Sequence, residues 1–302
     1  MQPSRRLFFP PSGGPHLIRL RGVARAAFEH CAACDRATAA RLTSLTQLLL
    51  VNAAVVSAAA VLQWLWSLRA RDVTVADVYW GFGFVIVAWL SFVMAGTASV
   101  RAWLLVVLTS LWGVRLGSYL LWRGRDQPED PRYRKIRERH GKSFPMMSLF
   151  VIFGFQGGVL LVVSLPVQVG MLATGAPDPA LWAGVLVWLI GFVFEAIGDR
   201  QLSRFRANPD NRGKVMNRGL WRYTRHPNYF GDFMVWWGLF LIALDSVDRL
   251  WIAAGPALMS VMLLRVSGVS LLEKTLSQRE GYAEYIETTS AFIPWPPKRK
   301  VD

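Results

Sequence analysis

Cysteine is nearly absent from this chain, with only Cys31 and Cys34 among 302 residues, in the string His30-Cys-Ala-Ala-Cys. A C-x-x-C pair can be a redox couple or half a zinc site, but structural zinc needs four ligands and no second pair lies nearby. Haem attachment needs a histidine after the second cysteine, and Asp35 stands there. The pair therefore reads as a tail feature without a role, and no metal site is expected. Histidine is also scarce: His16 and His30 fall in the N-terminal tail, His140 in a basic loop, and only His226 has neighbours that suggest chemistry. No Gly-x-Gly-x-x-Gly or Walker-type loop is present, which argues against a soluble dinucleotide or nucleotide domain. No apolar stretch of the signal-peptide kind precedes position 43.

What the chain has is long apolar blocks with charge between them. A spanning helix needs about 20 apolar residues, since each adds about 1.5 Å against a hydrocarbon core of about 30 Å. Seven blocks meet or approach that length, near 43–68, 78–95, 99–122, 146–172, 180–198, 229–244 and 249–272. Backbone groups in lipid must pair within their own segment, so these blocks predict an all-α polytopic transmembrane bundle of about seven spans. The expected division is an Arg-rich, disordered N-terminal tail over 1–42, a membrane domain over 43–297 and a basic C-terminal tail over 298–302.

The net charge is +14, and its placement is one-sided. Counting lysine and arginine loop by loop puts 23 on one face, while the other loops hold only Arg101 and Arg249. The positive-inside rule makes the 23 cytoplasmic, with the N-terminus outside and the C-terminus inside. Seven arginines within residues 1–42 run against that orientation. Topology and anionic lipid account for the basic balance, so no nucleic-acid partner is expected.

Ionisable residues inside spans are costly and tend to face a cavity or a partner. Here they are Arg115 with Tyr119 one turn on, Glu195 and Asp199 one turn apart on one helical face, Asp232, Arg265 and Glu273. Asp77, Tyr79 and Trp80 open the second block. All fall toward the basic-loop face, which predicts a polar cavity open to that side, with arginines able to hold phosphate or carboxylate. The loop between the fifth and sixth blocks is densest in polar residues. Its Pro227 suits the first turn of a helix, and backbone N–H groups there, with Arg225 and Asn228, predict an anion site.

The string Gly219-Leu-Trp-Arg-Tyr-Thr-Arg-His-Pro-Asn-Tyr-Phe-Gly-Asp232 resembles the signature of the steroid 5-alpha-reductase superfamily. That superfamily includes sterol reductases and isoprenylcysteine carboxyl methyltransferases. Asp77-x-x-Trp80-Gly81, Trp112-Gly-Val-Arg-Leu-Gly117, Glu129-Asp130-x-Arg132-Tyr133 and Tyr282-Ala-Glu-Tyr285 look most like its bacterial 5-alpha-reductase-like branch. The resemblance covers roughly residues 45–297.

The resemblance implies a membrane reductase that takes NADPH from the cytosol and a lipophilic substrate from the bilayer. Carried over residue by residue, it assigns the cofactor to Glu195, Asp199, Arg206, Arg225, His226, Asn228, Tyr229, Gly231 and Asp232, with a looser match at Arg265 and Glu273. Glu195 stands where the reductases have asparagine, and Asp232 where they have glutamate. On the substrate side, the implied tyrosine and acid that protonate a reduced enone correspond by rough position to Tyr119, with Arg115, and to Asp77 and Tyr79. The Gln-Glu motif of the steroid enzymes is missing, so a steroid substrate is not implied. Two alternatives stand beside this reading: an S-adenosylmethionine-dependent methyltransferase sharing the Arg-His-Pro-x-Tyr motif, and a non-enzymatic membrane protein.

Overall fold

The computed structural model describes residues 45–125, 127–266, 269, 273, 279 and 281–298. Cys31, Cys34, the Arg-rich segment 1–42 and residues 299–302 of the basic tail lie outside the described residues. The chain divides into two compact units, Met1–Gln47 and Leu48–Asp302; apart from residues 45–47, which are helical, all that follows concerns the second.

The described residues contain helices and no strand. α1 is Leu45–Ala70, α2 Val75–Ala95 and α3 Val100–Gly124. α2 ends on Gly96 in the left-handed region (φ 61°), and α3 starts on Ser99, whose hydroxyl accepts from the N–H of Ala102. That pair of caps makes the tight α2–α3 hairpin. α4, Pro131–His140, is capped by Asp130 and followed by α5, Phe144–Ser148, a π-helical segment Leu149–Gly154, and α6, Phe155–Val163. α7 is Leu165–Gly170 and α8 is Pro179–Ala207, whose first turn is capped by Asp178. α9 is Pro227–Ala243; a 3-10 turn Val247–Ala253 leads into α10, Ala254–Val261, and a second π-helical segment, Met262–Val266. α11, Tyr282–Thr288, closes the described fold.

Among the described residues, six stretches are long and apolar enough to cross a membrane: Leu45–Ala70, Val75–Ala95, Val100–Gly124, Pro131–Val163, Pro179–Ala207 and Val247–Val266. The remaining block, α9, has 17 residues and reaches only about 25 Å at 1.5 Å per residue. Its burial explains why it need not match the bilayer: Val235, Trp236, Leu239, Ile242 and Ala243 are wholly covered by protein. The fifth block also runs further than its apolar content suggests, because α8 continues as a charged helix to Ala207.

Small residues set the helix spacing. On α8, Gly184, Gly191 and Gly198 recur every seven residues, as do Gly231 and Gly238 on α9. A Cβ built on Gly191 would lie 2.6 Å from the carbonyl oxygen of Gly231, and one on Gly184 would lie 2.8 Å from that of Gly238. Only a side chain of hydrogen permits this approach, which is how helices associate where lipid removes the hydrophobic drive between them. α2 and α3 meet the same way: a Cβ built on Gly81 would lie 2.5 Å from the carbonyl oxygen of Gly113. Phe84, Trp112 and Trp236 then lock α2, α3 and α9 together, with ring centroids 4.5 to 5.6 Å apart.

The two basic residues on the charge-poor face are both engaged. Arg101, 1% exposed, donates to the carbonyls of Ile242 and Leu244 and pairs with Asp178 at 3.0 Å. Arg249 pairs with Asp245 at 3.2 Å and reaches the carbonyls of Val169 and Leu172. Each satisfies carbonyls left open at a helix C-terminus.

Candidate active site

At the end of the bundle that carries the basic loops, the helices enclose a cavity of about 390 Å³. It has two polar poles and an apolar wall.

The first pole is built on the α8–α9 contact. Glu195 and Asp199 lie one turn apart on α8, and Asn228 and Asp232 one turn apart on α9. The Gly191–Gly231 approach brings these two rows together. Arg115 of α3 enters between them, donating to Glu195 Oε1 at 2.7 Å, to Asp199 Oδ2 at 2.5 Å and to the Glu195 carbonyl at 3.2 Å. Trp112, one turn before Arg115, donates its indole N–H to Glu195 Oε2 at 2.7 Å, and the Asn228 amide donates to Asp199 Oδ1 at 3.1 Å. Asp232 lines the same cavity, and its Oδ1 has no hydrogen-bond partner among the described residues. Three carboxylates thus gather round one guanidinium, so this pole offers more acceptors than the protein fills.

The second pole is built by α4. Arg137 binds Glu129 at 2.6 and 3.0 Å, Glu129 accepts the N–H of Val73, and the N–H of Asp130 donates to Thr74 Oγ1. Burial pushes the Asp130 carboxyl up, but its bonds from the side chain and N–H of Arg132 outweigh that and hold it below the usual range. So fastened to the start of α2, the helix turns Tyr133 inward. Its hydroxyl donates to Asp77 Oδ1 at 2.5 Å, Arg132 holds Asp77 Oδ2 at 2.9 Å, and the Gln156 amide lies 3.1 Å from the Tyr133 hydroxyl. All four residues line the cavity. Between the poles the wall is apolar, with Val151, Phe155, Met259, Met262, Leu263 and Val266.

Of the residues singled out in the sequence, the cavity gathers Asp77, Glu195, Asp199, Asn228 and Asp232, together with Tyr119 and Tyr229. Tyr119 hydrogen-bonds Ser203 at 2.9 Å, and its ring lies 5.5 Å from the guanidinium carbons of both Arg115 and Arg123. Tyr79 faces elsewhere, into a small separate void beside Gln63, and its buried hydroxyl has no partner among the described residues. Gly231 is inside the α8–α9 seam, while Arg206 and Arg265 are exposed and do not line the cavity.

Arg225, His226 and Glu273 form a separate cluster. The Arg225 guanidinium binds Glu273 at 2.8 Å and the carbonyls of Ile286 and Thr289 at 3.1 and 2.7 Å. The C-terminal segment is laid along this strand of chain by bonds from the Arg225 N–H to Ser290 O and from the Trp295 N–H to Tyr223 O. Arg225 is therefore occupied, and the anion site expected at the start of α9 retains Asn228 but not Arg225. His226 stacks on Tyr229 with centroids 5.6 Å apart, and burial lowers its pKa to about 4 against the opposing pull of Glu273.

Tyr133 and Gln156 were not singled out by sequence reasoning. Tyr133 sits in a run of arginines that reads as a solvated loop, and Gln156 in a glycine-rich stretch that reads as a helix interruption. The Glu129-Asp130-x-Arg132-Tyr133 string was the available signal.

A bundle of apolar helices around a polar cavity defines an integral multi-pass membrane protein. Residues 63–289 match the family described as "Protein of unknown function (DUF1295)", and the chain belongs to that steroid 5-alpha-reductase-like family. It is 26% identical over 261 residues to an uncharacterized protein of Schizosaccharomyces pombe, covering 76% of this chain and 71% of the relative. It is 36% identical over 59 residues to the probable O-methyltransferase ustE of Ustilaginoidea virens, which is 20% of each chain. It is 29% identical over 102 residues to 3-oxo-5-alpha-steroid 4-dehydrogenase 1 of Bos taurus, covering 33% of this chain and 40% of the bovine one. The chain thus spans less than half the length of each of these two named enzymes. No solved structure matches it.

Proposed function

We propose that this protein is a membrane-embedded, NADPH-dependent reductase of a carbon–carbon double bond conjugated to a carbonyl in a lipophilic substrate. The observation that carries the reading is the single cavity joining an acceptor-rich pole to a tyrosine–carboxylate pole. The similarity to the bovine steroid dehydrogenase supports it.

The first pole fits the cofactor by its donor set. A nicotinamide carboxamide and ribose hydroxyls are hydrogen-bond donors, and Asp199 and Asp232, whose Oδ1 is unpartnered, offer acceptors while Asn228 offers an amide. Arg123 at the cavity edge and Arg206 beyond it supply charge for phosphates. When bound, NADPH supplies the hydride that adds to the β-carbon of the double bond, and leaves as NADP+.

The second pole handles the proton. Hydride addition would move the double-bond electrons onto the carbonyl oxygen as an enolate, Tyr133 turns its O–H from Asp77 to give that oxygen a proton, and the enol returns to the carbonyl as it loses the O–H proton and its α-carbon takes one up. Asp77 and the Gln156 amide hold the phenol in place, and Arg132 keeps Asp77 paired. The proton is resupplied from the Asp77 side, where Arg132 reaches solvent. General acid catalysis of this kind is worth about 10²- to 10⁴-fold. The basic-loop face is cytoplasmic on this reading, which places the cavity mouth where NADPH is available.

Thermal unfolding of the detergent-purified protein tests the proposal, because a ligand that binds only the folded state raises the melting temperature. NADPH should raise it and S-adenosylmethionine should not. The reverse result would replace the reductase by a methyltransferase.

A further inference from the structure

The apolar wall of the cavity is formed by two helices that both leave α-helical geometry where they pass it. Leu149–Gly154 and Met262–Val266 are each π-helical. A π-helical turn is rare and recurs at functional sites. Neither segment contains proline, so no missing N–H imposes the widening.

At both segments the same side chains belong to the cavity and to the outer surface. Val151 is 47% exposed, Phe155 51% and Val266 48%, yet all three line the cavity. Ile152 and Leu263 beside them are buried. The outer surface of these stretches is the part that lipid covers, so the cavity reaches the bilayer between the two segments. Met259 and Met262 sit behind this opening, and methionine adapts to chains of varying shape.

We propose that the opening between the two π-helical segments is a lateral cleft for the hydrocarbon chain of the substrate, which is therefore a chain lipid carrying its conjugated double bond at the polar end. This rests on reading the cavity as the substrate site. Volume points the same way. Pockets that enclose a small molecule run from about 300 to 1,000 Å³. A cavity of about 390 Å³ is near the lower end, and must take both the cofactor ring and the reacting group. The chain then lies outside, in contact with lipid, its apolar surface never crossing water.

The test uses the full-length protein in phosphatidylcholine vesicles with a long-chain alkyl enone bearing a mid-chain diazirine. After irradiation the labelled peptides are mapped by mass spectrometry. Labelling should concentrate at residues 149–155 and 259–266. An unlabelled long-chain enone should compete it away, and a short-chain enone should not. Val151→Trp combined with Val266→Trp should abolish it with the melting temperature unchanged, while Leu186→Trp, at an exposed position on α8, should leave it intact. Labelling spread evenly over the lipid-facing helices, or indifferent to the double substitution, would overturn the cleft. The labelling needs no cofactor. Intact labelling without any NADPH oxidation would therefore count against the reductase and leave the cleft standing.

Discussion

Tyr133 donates its hydroxyl to Asp77 at 2.5 Å, joining a helix that begins in a strongly basic segment to the first turn of a spanning helix 56 positions earlier. Both side chains face the cavity, and Gln156 binds both. A charge-rich helix is thereby folded back to present one buried aromatic acid.

Tyr133→Phe should keep the packing and remove the proton. Turnover, followed by NADPH oxidation with an enone-bearing lipid, should fall about 100-fold or more. Stabilisation by NADPH should be unchanged, since the phenol belongs to the other pole. Equal loss of both would place Tyr133 in the cofactor site instead.

Asn228→Ala removes the amide that holds Asp199 Oδ1, and Arg206→Ala removes a cation beyond the cavity edge. Each should reduce or abolish the rise in melting temperature produced by NADPH. Unchanged NADPH binding in both variants would mean that the cofactor lies elsewhere.

Gly231→Ala should lower the melting temperature. Its Cβ would meet the backbone N of Glu195 and stand 2.6 Å from the carbonyl oxygen of Gly191. Overpacking of this kind costs about 1–3 kcal/mol. NADPH binding should weaken as well, because the same contact sets the distance between the rows carrying Asp199 and Asn228.

Arg101→Leu should destabilise the fold by about 3 kcal/mol, since it leaves the Ile242 and Leu244 carbonyls and Asp178 without their shared partner. Chemical denaturation in detergent would measure it. Turnover per folded molecule should be unaffected, because Arg101 lies in the first turn of α3, well away from Arg115 and the cavity.

His226 gives the protein a pH dependence of stability. Its pKa falls from 6.5 to about 4 on burial. Above pH 6.5 it is neutral folded and unfolded, and its contribution is fully present. As pH drops from 6.5 toward 4 the unfolded chain takes up a proton that the folded chain refuses, so stability declines by up to about 3 kcal/mol, then levels off. His226→Gln should flatten melting temperature against pH over that window.

The spanning helices were legible because their signal is local: apolar block length, and Pro227 at the start of α9. The spacing of Glu195 with Asp199 likewise announced a shared face. Block length misjudged one element: α8 runs on as a charged helix where its apolar content ends. The short block 229–244 does form a short helix, α9, which its neighbours rather than lipid surround.

By itself, then, the sequence determined a bundle of apolar helices with its charge on one face and ionisable groups gathered toward that end. Those properties depend on neighbours within a turn or a block. Tertiary structure alone decided which of the many arginines is buried among carboxylates and which is tied to carbonyls. Arg115 meets Glu195 across 80 positions, while Arg225 closes on Ile286 and Thr289. The reason is physical: desolvating a guanidinium is tolerated only where acceptors converge on it, and packing between segments distant in the chain makes that convergence, α3 against α8 for Arg115 and the C-terminal segment for Arg225.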